Sequence, residues 1–262
     1  LENLGLKVAR KDWDNSEFKW EETKYALFRT TWDYFDKFKK FKKWLEKTKN
    51  KTKFINSYEQ IIWNTDKHYL LELSNKNIKI PPTEIIAKNT KKTLKEVFAK
   101  SNFKEIIIKP TVSGAGRHTY RINKNNINKY ENIFSLLLKK EDFMVQEFQK
   151  NILTKGEISI MLINGEHSHA ILKKAKKNEF RVQDDFGGTV HSYSASKEEI
   201  KFAENIISII KPKPVYARVD LMLNNKNKIV LSELELIEPE MWFRKNPLAA
   251  EILAKKIFEI YF

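Results

Sequence analysis

Two apolar runs near the C-terminus, Val215 to Leu223 and Ile229 to Leu236, flank the polar stretch Asn224 to Lys228. They constrain the chain more than any other feature. Their length, β-branched content and polar turn predict two adjacent strands. Charge interrupts them only at Arg218, Asp220, Glu233 and Glu235. Strand side chains alternate, so Glu233 and Glu235 share a face, as do Arg218 and Asp220. If the runs pair as a hairpin, Asp220 lies beside the two glutamates. Three clustered carboxylates repel one another unless a cation sits between them. Mg²⁺ suits such a set, because it takes oxygen ligands and binds through a few carboxylates plus substrate phosphates. An isolated Glu-x-Glu on a strand ordinarily faces solvent. Here Ile229-Val230-Leu231 and Leu234, Leu236 and Ile237 surround it and argue for a sheltered site. Arg218 is placed to stabilise negative charge that develops during a reaction.

A second stretch complements the first. Lys109 closes the β-branched run Ile106-Ile107-Ile108, and Ser113-Gly114-Ala115-Gly116 follows. The ammonium then emerges at a sheet edge, and the glycines let backbone N–H groups approach phosphate oxygens. Taken singly, such a loop is more often a hairpin connection. It is no P-loop, since Gly-Lys-Ser/Thr is missing, and it precedes no helix as a dinucleotide fingerprint would. Together with the acidic set it reads as a Mg-ATP site. In Arg181-Val182-Gln183-Asp184-Asp185-Phe186-Gly187-Gly188 the glycines permit close approach and Arg181 offers a fork for phosphate or carboxylate. A surface turn explains the same stretch if it is taken alone. Arg29 and Trp32 lie just past an expected strand, at an end of the sheet that commonly faces ligands. His167 and His169 have the alternation of a zinc pair but lack a third ligand, which favours packing or hydrogen bonding.

The 262 residues suffice for one large domain or two to three lobes. The formal charge of +15 invites a nucleic-acid reading. Only 7 of the 49 basic residues are Arg, however, and the Lys are spread along the whole chain without interleaved aromatics. A solvated Lys-rich surface explains the charge better, and it also attracts anionic substrates. The chain has no cysteine, which excludes disulfides, thiolate metal sites and a Cys nucleophile, and fits a cytoplasmic setting. No apolar run reaches the length of a membrane span. The chain begins at Leu1, and the usual first strand and helix of an N-terminal lobe look absent or shortened.

Periodicity predicts strands at Leu6–Ala9 and Tyr25–Phe28 and a helix from Phe35 through Leu45. A helix capped by Thr65-Asp66 runs to Leu73. Pro81-Pro82 then leads to a strand at Ile85-Ile86, a helix over Thr90–Ala99 and strands at Glu105–Lys109 and His118–Ile122. Next come a helix over Ile127–Leu138 and strands at Phe143–Phe148, Glu157–Ile163, His167–Lys173 and Val190–Tyr193. A helix around Ile200–Ile210, the hairpin, and a helix over Pro247–Tyr261 complete the order.

This order of motifs resembles the ATP-grasp superfamily, and within it the bacterial glutathione synthetase-like ligases, over nearly the whole chain. The resemblance implies an α/β (α+β) ATP-grasp fold: a shortened N-terminal lobe over 1–64 and an ATP-grasp domain over 65–262. Within that domain it implies a lid lobe at about 82–142 and an antiparallel-sheet lobe at about 143–262. It implies that Lys67 and Lys109 are the nucleotide lysines and that Ser113, Gly114 and Gly116 belong to a mobile lid loop. Gln146, Glu147 and Phe148 would form the hinge whose backbone reads adenine, and Glu157 would bind ribose. Lys173 and Arg181 would contact phosphate, with Arg218 beside the reacting atoms. Asp220, Glu233 and Glu235 would be the metal ligands for Mg²⁺ (or Mn²⁺). Arg29, Trp32, Gly187 and Gly188 would contact the substrate, an amino acid or short peptide. Dimers and tetramers are common among similar enzymes, so a homo-oligomer is also implied. The third metal position is usually Asn and here is Glu235. A Pro-rich segment of the family is replaced by Thr30-Thr31-Trp32-Asp33-Tyr34, which points away from glutathione synthesis. The strings Arg29 to Tyr34, Trp63 to Lys67, Ser168 to Ala170 and Glu233 to Pro239 look more like the subgroup that includes the cycloserine-forming ligase. The implied activity is ATP-dependent carboxylate–amine ligation. The alternatives are a non-catalytic ATP-binding module and a basic nucleic-acid-binding protein.

Overall fold

A computed structural model describes all 262 residues. The N-terminal part is built on aromatic packing. Strand β1 (Tyr25–Leu27) pairs in parallel with β2 (Lys53–Ile55), and helix α1 (Phe38–Thr48) connects them. Helix α1 buries Phe41, Leu45 and Thr48 and turns its lysines outward. Phe41 and Trp44 meet Trp13 and Phe28 with ring centroids 5–6 Å apart, mostly edge to face, the geometry that ring quadrupoles favour. The strand expected at Leu6–Ala9 does not form. Val8 is exposed there, and no neighbouring strand is available to pair with it.

Helix α2 (Tyr58–Asn64) begins at a capping box formed by Ser57 and Gln60, which satisfies two otherwise free amides. Helix α3 (Tyr69–Asn75) follows after a bend. The sequence predicts one helix starting at Thr65-Asp66, but these residues end α2 instead. Thr65 Oγ1 donates back to Ile62 O at 2.7 Å, and Asp66 Oδ1 accepts the His68 N–H at 3.1 Å. The bend holds Lys67, whose N–H donates to Thr111 O at 2.9 Å.

A four-stranded antiparallel sheet comes next. It comprises β3 (Thr83–Ile86), β4 (Glu105–Pro110), β5 (Tyr120–Asn123) and β6 (Phe143–Glu147), in the order β3-β6-β4-β5. Helices α4 (Leu94–Ser101) and α5 (Ile127–Leu138) cover one face through Leu94, Val97, Phe134 and Leu138. Helix α4 starts at Leu94, later than the predicted Thr90, because Thr93 and Glu96 form a capping box. Strand β4 alternates, burying Ile106 and Ile108 under the helices. Period two then sends Ile107 and Lys109 to the opposite face.

The larger antiparallel sheet has the order β11-β10-β7-β8-β9. Its strands are β7 (Glu157–Ile163), β8 (Glu166–Lys174), β9 (Thr189–Tyr193), β10 (Tyr216–Leu223) and β11 (Ile229–Glu235). A short helix α6 (Ile152–Lys155) precedes β7. Strand β7 is buried along its full length at the centre. Ile160, Leu162, Val219 and Leu221 pack under helix α7 (Lys197–Ser208) on one face. Met161, Ile163, Ile171 and Tyr216 pack under helix α8 (Leu248–Tyr261) on the other. None of these helices is long and apolar enough to cross a membrane.

Strand β11 is an edge strand, yet its outer backbone groups are paired. Asn64 Nδ2 donates to Leu234 O at 2.9 Å, and its Oδ1 accepts the Leu236 N–H at 2.7 Å. The Leu234 N–H donates to Tyr69 Oη at 3.0 Å. Asn56 acts similarly further along, reaching Tyr216 O, Leu236 O and the Val215 N–H. Buried backbone groups without partners are costly, so α2 and α3 function as a side-chain strand for β11. We expect Asn64→Ala to cost about 2–4 kcal/mol, since it strips partners from two buried backbone groups. Urea unfolding checks this; a change near zero would mean that water replaces the side chain.

Candidate active site

Both antiparallel sheets contribute to one cleft of about 550 Å³, within the usual range for a small-molecule site. The smaller sheet supplies Ile107, Lys109, Gln146 and Glu147. The larger supplies Glu157, Lys173, Arg218, Asp220, Met222, Ser232, Glu233 and Glu235. Lys67, the loop Ser113 to Gly116 and the segment Phe180 to Asp185 complete most of the wall.

The expected hairpin forms and, through a bulge between Asp220 and Leu221, sets Asp220 opposite Glu233 and Arg218 opposite Glu235. The three carboxylates border the cleft but do not converge on one point as a ready metal cage would. Each is neutralised by protein cations instead. Asp220 receives Arg218 through Nε and Nη2, both at 2.9 Å, Lys173 Nζ at 3.0 Å and Ser159 Oγ at 2.6 Å. Glu233 faces Lys67 Nζ at 3.0 Å, and Arg218 also reaches Glu235. Burial alone would raise the Asp220 carboxyl, but Arg218 and Lys173 outweigh it and hold the group well below the usual range. Burial also opposes ionisation of Glu233, and Lys67 and Lys109 overcome it. Glu235 goes the other way: burial, reinforced by Asp220 and Glu233, pushes it up to about 7 despite Arg218. The Arg218 Nη1 makes no hydrogen bond, so it remains free to face the cleft.

Lys173 also pairs with Glu157 at 2.6 Å, and Glu157 accepts Ser232 Oγ at 2.7 Å. Lys109 is half-buried, and its desolvation lowers its proton affinity, while Glu233 acts in the opposite sense. The hinge expectation needs one adjustment. The N–H groups of Glu147 and Phe148 donate to Pro82 O and Glu105 O at 3.0 Å. Their carbonyls are engaged as well, Glu147 O accepting Gln149 Nε2 at 2.9 Å and Phe148 O accepting Asn225 Nδ2 at 3.0 Å, so only second lone pairs and side chains remain for a ligand at these two residues of the segment. Beside it Phe148, Ile152, Val182 and Met222 make an apolar end.

The glycine loop lies across the cleft, wedged between two rings. A Cβ on Gly114 would come 2.5 Å from the Phe35 ring, and one on Gly116 would come 2.7 Å from Phe186. Gly116 also has φ +68°, a conformation that disfavours any side chain. Arg117 ties the loop to Asp36 at 3.2 Å and to Glu141 through two bonds of 2.9 and 3.0 Å. Arg181 is held by Glu179 through Nε and Nη2 and lies 3.6 Å over the Phe186 ring.

Three expected site residues stand outside the cleft wall. Arg29 stacks over Phe243 and donates to Pro239 O at 3.4 Å, so it supports the wall from behind. Gly187 closes a 3-10 turn at φ +79°. Gly188 fits only as glycine because a Cβ would strike Val182 O at 2.2 Å. Both shape the loop that carries Arg181. Trp32 does border the cleft. His169 Nε2 lies 2.9 Å from Met241 O, in keeping with the hydrogen-bonding role expected for the histidine pair. Sequence reasoning assigned no role to Phe35, Ser159, Glu179, Ser232 or Glu238. Of these, Glu238 was the most accessible to it, as the next acid after Glu233 and Glu235.

Lys109 on one antiparallel sheet and Lys67 in the bend beside it, facing carboxylates on a second sheet under a glycine loop, have the arrangement of a nucleotide-dependent ligase of the ATP-grasp type. The chain belongs to that family: the model of the prokaryotic glutathione synthetase ATP-grasp domain matches residues 67–229. It is therefore an ATP-binding ligase by family. Residues 1–56 match the N-terminal domain of D-cycloserine synthetase DcsG. The cycloserine biosynthesis protein DcsG of Streptomyces lavendulae is 21% identical over 256 residues, covering 91% of this chain and 83% of its own. The crystal structure of D-cycloserine synthetase DcsG superposes with a TM-score of 0.88 at 21% identity, over 100% of this chain and 92% of that one. The D-alanine–D-alanine ligase of Bacillus anthracis complexed with ATP superposes at 0.60 with 16% identity, over 91% and 79%. These structural likenesses establish the shared fold.

The loop geometry generates a test. Gly114→Ala should push the loop off Phe35, and limited trypsin digestion should cut faster at Arg117. Adding Phe35→Val should return the cleavage rate towards wild type. A double variant cleaved as fast as the single one would show that the contact does not hold the loop.

Proposed function

We propose that the protein joins a carboxylate to an amine at the expense of ATP, releasing ADP and phosphate. One observation carries the reading: two buried lysines, Lys67 and Lys173, the half-buried Lys109 and a carboxylate set share a single cleft of nucleotide size beneath a glycine loop. The adenine ring would enter the apolar end by Phe148 and Met222, with Glu157 towards the ribose. Lys67 and Lys109 would meet phosphate oxygens from one side of the cleft. Lys173 and Arg181 would offset charge on the phosphoryl group in transfer.

A substrate carboxylate oxygen attacks the γ-phosphorus and ADP leaves, giving an acyl phosphate. The amine nitrogen then attacks the acyl carbon and phosphate leaves. Arg218, with Nη1 free, would stabilise the oxyanion of that second step. The loop of Ser113 to Gly116 would exclude water that would otherwise hydrolyse the intermediate. No enzyme nucleophile is needed.

The donor set fits Mg²⁺. Asp220, Glu233 and Glu235 offer hard oxygen ligands on one wall, and their mutual repulsion, visible at Glu235, is what a divalent cation relieves. Bound there, the ion would neutralise charge on the phosphates. DcsG is a cycloserine synthetase by name, and D-alanine–D-alanine ligase joins amino acids by name. An amino acid or short peptide is therefore the substrate class we propose here, in a cytoplasmic setting.

Calorimetry with a non-hydrolysable ATP analogue tests the site. Binding should strengthen with Mg²⁺ in the wild type, and Glu233→Gln should remove most of that dependence. Equal affinity in both proteins would take Glu233 out of the metal set. Arg218→Ala should lower the rate of amide formation by a factor of about 10² or more. Its nucleotide affinity should change far less, and parallel losses would refute the oxyanion role.

A further inference from the structure

Glu238 stands apart from the other sheltered carboxylates near the reacting end of the cleft; Asp185 also lacks a partner there but is exposed to solvent. Asp220 and Glu235 have Arg218, Glu233 has Lys67, Glu157 has Lys173, and Glu240 has Arg244. Glu238 borders the same cleft, is largely sheltered from solvent, and forms no salt bridge or hydrogen bond with any other residue's side chain. A carboxylate taken out of water without a partner is unfavourable unless something else supplies the positive charge.

The backbone beneath it is fixed. Trp32 Nε1 donates to Glu238 O at 3.1 Å, and Arg29 donates to the adjoining Pro239 O at 3.4 Å. Two donors from the N-terminal lobe thus hold residues 238–239 while the Glu238 side chain stays free. The indole that makes the first bond is itself unused. Trp32 is 52% exposed, borders the cleft, and has no cation over its ring. The other aromatic faces nearby are occupied: Arg244 covers Trp242 at 4.2 Å and Arg181 covers Phe186 at 3.6 Å. The bond from Trp32 to the Glu238 backbone keeps the two residues adjacent on the cleft wall, and an unpaired carboxylate with an uncovered indole next to it in the wall is a pairing that recognises an organic ammonium, through charge and through the ring face.

We infer that Glu238 and Trp32 form a subsite for a primary ammonium group on the substrate. The inference rests on the ligase reading for the role of that substrate. The group is held there and does not react, so the subsite selects amino-acid-type substrates over plain carboxylic acids of the same shape. Arg29 acts as a positioning residue behind it.

The probes are alaninamide, which carries the ammonium, and propanamide, its neutral counterpart. Each is titrated into the full chain with and without an ATP analogue and Mg²⁺. The indole N–H signals are followed by ¹⁵N NMR, with Trp32 assigned from Trp32→Phe. Alaninamide should shift the Trp32 signal in a saturable way, and propanamide should not. Glu238→Gln should weaken alaninamide binding roughly tenfold or more, with nucleotide affinity unchanged. Trp32→Leu, read from perturbed backbone amides around 238, should weaken it by a smaller factor. Equal binding of both probes, undiminished binding to Glu238→Gln, or no saturable shift at Trp32 would overturn the subsite. Nucleotide binding is scored in the same samples, so loss of the ligase reading would appear separately, as a wild-type protein that binds no ATP analogue.

Discussion

The site depends on how the edge of one strand is closed. Strand β11 carries Glu233 and Glu235, and its outer side faces no further strand. Asn64 and Tyr69 pair its backbone instead, and Asn56 continues the seam to β10. Open edges fray or recruit other chains, and either outcome would let the two glutamates move. The same seam brings Lys67 to 3.0 Å from Glu233, because Lys67 lies in the bend between α2 and α3. One set of hydrogen bonds therefore fixes a carboxylate and its counter-cation together.

Charge across the cleft follows from strand alternation. Period two on β4 sends Lys109 away from the helices, while on β10 it puts Arg218 and Asp220 on one face. The anions outnumber what a dry interior tolerates, and the balance is local. Asp220 stays ionised because two cations touch it. Glu235 shares one cation with Asp220 and is pushed up to about 7. The wall is thus primed for additional positive charge at one position and already neutralised at the next. A ligand bringing both phosphates and a divalent ion meets that asymmetry from the side of the lysines.

Much of this was legible in the sequence because it depends on short-range periodicity. The hairpin and Lys109 near a strand end follow from alternation and a polar turn, whereas the pairing of Asp220 with Glu233 also needs a β-bulge between Asp220 and Leu221 that the pattern does not announce. Helix α5 coincides with its predicted span, Ile127–Leu138. The failures have two causes. Thr65-Asp66 has the composition of a helix start, yet Thr65 bonds backward to Ile62 and closes a helix. The strand at Leu6–Ala9 has the right residues and no partner. Arg29 sits past a strand end but turns its guanidinium onto Phe243, away from the cleft. The last two outcomes depend on whether a distant segment offers a contact, which local pattern does not encode, whereas Thr65 is decided locally, by a hydroxyl that serves either end of a helix. Glu238 lies beyond the end of β11, where alternation stops and no rule assigns it a direction.

The N-terminal segment from Arg29 to Asp36 joins these parts into one device. At one end Arg29 and Trp32 hold the carbonyls of Pro239 and Glu238. At the other, Phe35 packs against Gly114 and Asp36 pairs with Arg117, so the same eight residues meet the glycine loop. A molecule bound against Trp32 therefore presses on a segment that also supports the lid. The requirement for glycine at 114 follows from this contact and not from backbone freedom, since any side chain there would displace Phe35. On the function proposed above, closure over the phosphates and order at the substrate end would be two consequences of one packing arrangement, and an enzyme keeping water from an activated carboxylate would gain from having the loop and the substrate wall share a support.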